Sequence, residues 1–180
     1  APISRPRSMP RAAVGRDRRA RRCPPPDPLP MSILVTPATP DDVRAIAEVR
    51  TAAAAHLTIT YGGGHWSTRT SEAAVRDALR TPLVLVARIA SLVVGTLRLQ
   101  TRKPRTIDIT YFTPVRRPLY VVDVAVHPDV QRQGIGRQLM AAAADAAARW
   151  PANGIRLDTY DDPAGAGGFY RACRYREVAR

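Results

Sequence analysis

Blocks of apolar residues separated by polar and turn-forming residues begin at Ile33 and continue to the end of the chain. Ile33, Leu34 and Val35 predict a short strand. Thr39-Pro40-Asp41-Asp42 predicts a helix start, with Thr39 as N-cap, Pro40 in the first helical position and a carboxylate three residues after the cap. Val43, Ile46, Ala47 and Ala54 then keep one helical face through about Ala55. Tyr61 to Trp66 contains three consecutive glycines and reads as a flexible loop with large side chains at its edges. Thr70 or Ser71 caps a second short helix reaching about Arg80, with Glu72 in its first turn. Residues 83–87 and 92–99 predict an antiparallel hairpin joined by about four residues. Residues 102–118 are basic and broken by prolines, with a strand expected over 107–112. Residues 119–126 are almost continuously apolar, which predicts a strand buried on both faces and ended by His127-Pro128. A helix from about Gly136 to Trp150 follows, with Leu139, Met140, Ala143, Ala147 and Trp150 on one face. A strand over 155–160, a short helix over 166–173 and a strand starting near Arg176 complete the pattern. No internal repeat is present.

Charge changes the picture at one end. The 180 residues carry 28 Lys+Arg against 15 Asp+Glu, a formal net charge of +13. Such a balance admits nucleic acid, phosphorylated cofactors or anionic membranes as partners without choosing among them. Residues 1–30 hold eight arginines against two aspartates, and eight of the 17 prolines. They cannot bury enough apolar surface to offset the entropy of ordering them, so they are expected to be disordered. They read either as a basic arm or as a stretch upstream of a natural start at Met31. The domain boundaries expected are therefore 1–30 and 31–180. No run approaches the roughly 18 apolar residues of a membrane span. The Arg-rich start leads into prolines and not into an apolar stretch, so no secretory leader is expected. Cys23 and Cys173 cannot build a disulfide framework and have no metal-ligand spacing, which makes a cytoplasmic setting the default. No metal is implied.

One segment carries recognisable chemistry: the 119–126 strand, a short turn, Gln131-Arg132-Gln133-Gly134-Ile135-Gly136, then a long helix. Amides at a helix N-terminus lack intrahelical partners and sit at the positive end of the helix dipole. Glycines there let the backbone come close to a bulky anion. The spacing lacks the lysine of a nucleotide-hydrolase phosphate loop and the third glycine of a dinucleotide fingerprint. Two glycines alone are equally compatible with a plain tight turn.

Val124-Ala125-Val126-His127-Pro128 followed by Gln131-x-x-Gly134-x-Gly136 and an Ala-rich helix resembles the acetyl-CoA motif of the GCN5-related N-acetyltransferase (GNAT) family. Ala166-x-x-Phe169-Tyr170-x-x-Cys173-Arg174-Tyr175 is similar to that family's second motif. The resemblance spans about residues 32–180. It implies an α/β fold built on a mixed, mostly antiparallel sheet flanked by helices, splayed open at the strand before the glycine loop. It also implies an acetyl-CoA co-substrate held by main-chain groups of Val124, Ala125 and Val126 and by Gln131, Arg132, Gln133, Gly134, Ile135, Gly136 and Arg137. Tyr170 falls at the general-acid position. Two departures stand out: Pro163 where an asparagine is common, and Arg174 where a glycine is usual. Arginine adopts the left-handed backbone of such a helix cap at a cost of about 1 kcal/mol or more. The resemblance further implies one more strand after the one starting near Arg176, so the domain reads as lacking its last C-terminal strand, with a second copy of the chain as a way to supply it.

The remaining roles stay open on sequence alone. An amine must lose a proton before attacking a thioester, and Asp123, beside the cofactor strand, is a candidate base or simply an ion-paired strand aspartate. Glu72 and Asp108 are weaker candidates. His65 and Trp66 lie in the loop where the family contacts its acceptor. His127 reads as structural. Asp158, Asp161 and Asp162 either attract a cationic acceptor or cap the next helix. The expected activity is direct transfer of an acetyl group from acetyl-CoA to a primary amine of a small molecule or protein, with neither nucleic acid nor membrane as partner. The alternative is an inactive CoA-binding or nucleic-acid-associated protein of the same fold.

Overall fold

The computed structural model describes residues 32–81 and 83–179. The chain divides between Pro30 and Met31, and the second unit is the one considered below. The expected basic arm over residues 1–30, with Cys23, lies outside the described residues.

Among these residues the order is β1 (Ile33–Pro37), α1 (Val43–Tyr61), α2 (Glu72–Ala78), β2 (Leu83–Ile89), β3 (Leu92–Gln100), β4 (Pro118–Val126), α3 (Ile135–Arg149), β5 (Gly154–Arg156) and α4 (Gly167–Ala172). The strands form one sheet in the order β1-β2-β3-β4-β5, antiparallel except for the parallel β4–β5 pair. This is the mixed, mostly antiparallel α/β sheet that the patterning and the resemblance imply.

Strand alternation splits the sheet into two faces. Leu85, Ala87, Leu97, Leu99, Leu119 and Val121 face α3, which contributes Ile135, Leu139, Met140, Ala143, Ala146 and Ala147. Val84 and Val86 face the other way, onto Val43, Ile46 and Ala47 of α1 and Val75 of α2. Gly95 is where β3 meets α3 closely: a Cβ there would lie 3.1 Å from both Ile135 and Leu139. The entry to α1 follows the predicted capping box. Asp42 accepts from the Thr39 N–H at 2.8 Å, after a 3₁₀ turn over Pro40–Asp42. The same carboxylate, nearly buried, takes both contacts from Arg88 on β2 at 2.8 Å.

Several expectations are corrected. The hairpin loop between β2 and β3 is Ala90-Ser91 alone, two residues instead of about four, with Ala90 at φ 52°. Helix α1 runs on to Tyr61, where Gly62 at φ 84° ends it. Residues 107–112 do not form a strand. The Asp108 carboxylate accepts from the Thr110 N–H at 2.9 Å and folds Ile109–Tyr111 into a 3₁₀ turn. Trp150 is exposed, beyond the last residue of α3. Strand β5 stops at Arg156, because β4 pairs with it only over Pro118–Tyr120. No strand starts near Arg176: residues 173–179 are turn or irregular. None of the helices among the described residues is long and apolar enough to cross a membrane.

Candidate active site

The sheet opens where β4 and β5 part. Tyr120 is the last β4 residue with a β5 partner, while β4 continues to Val126. Over that stretch β4 is held by β3 on one side, and its other edge has no strand beside it among the described residues. An unpaired edge of this kind offers main-chain donors and acceptors to an extended ligand.

Within the opening β4 is bulged. Val122 faces Arg98 and Ala125 faces Thr96, so Leu97 is opposed by both Asp123 and Val124. Asp123 takes φ 57°, the left-handed region, which aspartate visits more readily than most residues. The extra residue resets the alternation. Leu119 and Val121 are buried against α3, and after the bulge it is Val124 and Val126 that pack on that same cluster. Asp123 turns to the α1 face. There Arg50 Nη2 donates to its Oδ1 at 2.9 Å and Arg98 Nε donates to its Oδ2 at 2.9 Å. All three side chains are about one-quarter exposed. They line a small cavity of about 360 Å³ with Ala74, Asp77 and Ala78 of α2.

The glycine loop sits at the C-terminal end of β4. Gln131 Nε2 donates to the Val126 carbonyl at 3.1 Å, tying the loop to the strand. Arg132 at φ 62° and Gly134 at φ 85° are both left-handed, and Gly134 is the N-cap of α3. Alternating left-handed residues turn successive N–H groups to one side and make an anion-binding concavity. A Cβ on Gly134 would meet nothing within 4 Å, so the space in front of it is open. Gly136 serves a different end. A Cβ there would lie 3.0 Å from Phe169, so the glycine lets α3 and α4 touch. These residues fit an acyl-CoA: free helix amides, an open approach at Gly134 and Arg132 and Arg137 exposed nearby.

The Phe169 contact brings α4 and its Tyr170 to the start of α3. Tyr170 packs on Phe169 at 5.1 Å between ring centroids and on Tyr175 at 6.4 Å. The helix ends in a Schellman cap: the Tyr175 N–H donates to the Tyr170 carbonyl at 3.0 Å and the Arg174 N–H to the Arg171 carbonyl at 2.9 Å. Arg174 takes φ 67° there, the strained geometry foreseen for a non-glycine cap. Burial, assisted by the negative charge of Asp158, pushes the Tyr170 hydroxyl up to about 12. Burial also raises the Cys173 thiol, against a smaller opposing effect of Arg137.

The other candidates scatter. Trp66 folds back to donate to the Gly62 carbonyl at 3.1 Å and meets Tyr160 edge-on at 5.3 Å. That contact joins the glycine-rich loop to the segment after β5. Ser67 closes the loop, accepting from the Gly64 N–H at 2.9 Å and sharing a hydrogen bond with Thr58. His65 is exposed. His127 accepts from the Asp129 N–H at 3.4 Å. Asp162 caps the turn at Ala164 and not α4, whose N-cap Ala166 N–H is instead accepted by the Thr159 hydroxyl at 2.8 Å. Glu72 pairs with Arg76 on α2. A cavity of about 660 Å³ lies beyond β5. Tyr170, Asp108, Asp158, Asp161 and Asp162 line it, but none of Val124–Val126 or the glycine loop does. Sequence reasoning missed Arg50 and Arg98, which carry no local signal.

Residues 80–177 match the family described as Acetyltransferase (GNAT) domain, more than half of the chain. No curated protein sequence matches. Three similar solved structures illustrate the fold. An acetyltransferase of the GNAT family from Brucella melitensis, in complex with acetyl-CoA, is 20% identical with a TM-score of 0.57, over 82% of this chain and 84% of that one. A ribosomal-protein-alanine N-acetyltransferase from Brucella melitensis biovar Abortus 2308 is 17% identical with a TM-score of 0.61, over 83% and 95%. An aminoglycoside acetyltransferase from an uncultured soil metagenomic sample is 19% identical with a TM-score of 0.58, over 83% and 96%.

Proposed function

From the premise that the chain belongs to the GNAT acetyltransferase family, we propose that it transfers an acetyl group from acetyl-CoA directly to a primary amine. The observation that carries the assignment of residues is the opening of the sheet beyond Tyr120, with the glycine loop following β4 and with Phe169, the neighbour of Tyr170, against Gly136. The main chain of Val124, Ala125 and Val126 would hold the acyl-pantetheine arm as an added strand is held. The amides from Arg132 to Arg137 would take the pyrophosphate at the positive end of α3. Gln131 acts at one remove, by tying that loop to Val126.

Tyr170 is the group assigned to the departing thiolate. With its proton held to about 12, it serves as a hydrogen-bond donor at every working pH. Asp123 is already engaged: each of its oxygens accepts a charge-assisted hydrogen bond, one from Arg50 and one from Arg98, which gives it a structural role on β4. Cys173 is a poor nucleophile, since burial favours its neutral thiol, and this favours a ternary complex over an acyl-enzyme.

The acceptor is a primary amine carrying further positive charge. Asp108, Asp158, Asp161 and Asp162 gather around one cavity lined by Tyr170 in a strongly basic chain, and Trp66 meets Tyr160, which lines the same cavity. Such carboxylates attract multiply charged amines and discourage anionic ones. The similar structures include an aminoglycoside acetyltransferase and a ribosomal-protein-alanine N-acetyltransferase, so both small polyamines and peptide N-termini belong in the panel. Thiol release from acetyl-CoA against that panel tests the reading, beside calorimetry with CoA. Turnover with a cationic amine supports it; CoA binding with no turnover on any amine would leave an inactive CoA-binding protein, and absence of CoA binding would refute the site.

A further inference from the structure

The bulge in β4 needs an explanation that the fold alone does not give. Asp123 sits at φ 57° in a strand, with no glycine to make that conformation easy. Without the extra residue, regular alternation from Leu119 and Val121 would put Asp123 on the α3 face, among fully apolar neighbours, and would turn Val124 and Val126 to the opposite side. Burying an unpaired carboxylate there is strongly unfavourable. On the α1 face the same carboxylate meets two guanidinium groups that come from different elements, Arg50 from the middle of α1 and Arg98 from the strand opposite the bulge. Arg98 faces Val122, the residue just before the bulge. The two arginines therefore grip the bulged residue from the helix above it and from the neighbouring strand.

We propose that Arg50 and Arg98 are positioning residues, which lock Asp123 in its left-handed conformation and so fix the set of the Val124–Val126 edge that receives the acyl-CoA. The proposal rests on the assignment of that edge to acyl-CoA. It gives Asp123 a role that involves no proton transfer: it is the point at which α1 and β3 hold the cofactor strand in register. The same clamp also links α1, and through it the Tyr61–Trp66 loop, to the cofactor edge.

The test uses Arg50→Gln, Arg98→Gln, Asp123→Asn and Asp123→Gly in the full chain. Melting curves first establish that each variant folds. Amide hydrogen exchange at residues 121–126 without ligand should speed up in both arginine variants, while α3 stays protected. The Kd for CoA and the KM for acetyl-CoA should rise about three- to tenfold, with the KM for the amine unmoved, because a misplaced edge weakens one substrate only. Asp123→Gly keeps the bulge accessible without its clamp and should fall with the arginine variants. Asp123→Asn should retain the shape of the pH–rate profile. A general base at Asp123 would instead cost about 10²–10⁴-fold in kcat and remove the profile's acid limb, and that result overturns the proposal. Arginine variants with unchanged exchange at 121–126, or with unchanged KM for acetyl-CoA, also overturn it. Should the unsubstituted protein fail to bind CoA, the functional assignment of the edge falls by itself, and the exchange measurements separately decide whether the clamp holds the bulge.

Discussion

Tyr170→Phe is the substitution that most directly probes the assigned chemistry. It removes one oxygen and keeps the ring that packs on Phe169 and Tyr175. No hydrogen bond joins the Tyr170 hydroxyl to another described residue, so folding loses little. A hydroxyl at about 12 facing a thiol at about 8.5 makes full proton transfer uphill by about 5 kcal/mol, at about 1.4 kcal/mol per unit. In the proposed role the hydroxyl would therefore act by donating a hydrogen bond to the developing thiolate. Hydrogen bonds to charged groups are worth about 1.5–3 kcal/mol, so kcat should fall by about 10- to 150-fold, with the Kd for CoA close to that of the unsubstituted protein. Single-turnover thiol release at saturating amine measures the chemical step without interference from product release. The pH dependence supplies a second readout. A tyrosine raised from 10 to about 12 is neutral in both folded and unfolded states below pH 10, so its stabilising contribution is complete there. Between pH 10 and 12 the unfolded chain ionises first, and up to about 3 kcal/mol is lost as pH rises through the folded value. The Phe variant should show a shallower alkaline decline in stability than its parent. An unchanged single-turnover rate would remove Tyr170 from the mechanism, and an unchanged alkaline decline would contradict its burial.

Further substitutions test the frame around the site. At Gly134, φ 85°, Asn and Asp are similar in shape and both tolerate left-handed backbone, so Gly134→Asp should bind CoA about tenfold or more weaker than Gly134→Asn if a pyrophosphate sits before it; equal affinities by calorimetry would displace the cradle. Arg174→Gly should relieve the strained cap at φ 67° and add about 0.5–1 kcal/mol, a rise of about 1–4 °C in Tm; a lower Tm would mean that the arginine side chain outweighs the strain. For Asp42, burial pushes the carboxyl up, but the Thr39 N–H and Arg88 together outweigh it and hold it below its usual value. Its contribution is therefore present above pH 4 or so and is lost as pH falls through the depressed folded value; Asp42→Asn should cost about 2–4 kcal/mol at neutral pH and show a weaker acid decline, read by denaturant titration across pH.

The elements that the sequence makes visible are those whose cause is local. The α3 face repeats at helical spacing, with Leu139, Met140, Ala143 and Ala147 all buried. The Thr39–Asp42 capping box closes within four residues. The Gly134 and Gly136 spacing marks the loop, although the two glycines are needed for different reasons, a left-handed backbone at one and the approach of Phe169 at the other. What stays hidden depends on partners far along the chain. Residues 107–112 alternate like a strand, and only the Asp108–Thr110 hydrogen bond shows that they turn. Strand β5 is shorter than the strand expected over 155–160 because β4 diverges from it, a property of neither segment by itself. Arg50 and Arg98 find Asp123 across 73 and 25 residues, and before folding they are two arginines among many.

A common physical feature links the hidden part of the site. Of the described residues with positive φ, Asp123, Arg132, Gly134 and Arg174 all fall in the stretch from β4 to the turn that caps α4, which contains the candidate site. Three of these are not glycine, and each costs about 1–2 kcal/mol relative to ordinary backbone. Strain of that size persists only where neighbouring interactions exceed it. At Arg174 the Schellman hydrogen bonds and the Tyr170–Tyr175 contact supply the opposition. At Asp123 it is the two guanidinium groups. The consequence is directional. Left-handed residues aim N–H and C=O groups where a regular strand or helix would not, and here they do so at the candidate cofactor edge, at the glycine loop and at the cap of the helix that carries Tyr170. Substitutions that relax the strain, Arg174→Gly above all, should therefore stabilise the fold, whereas loss of the groups that oppose it should weaken the hold on acyl-CoA before it weakens the fold.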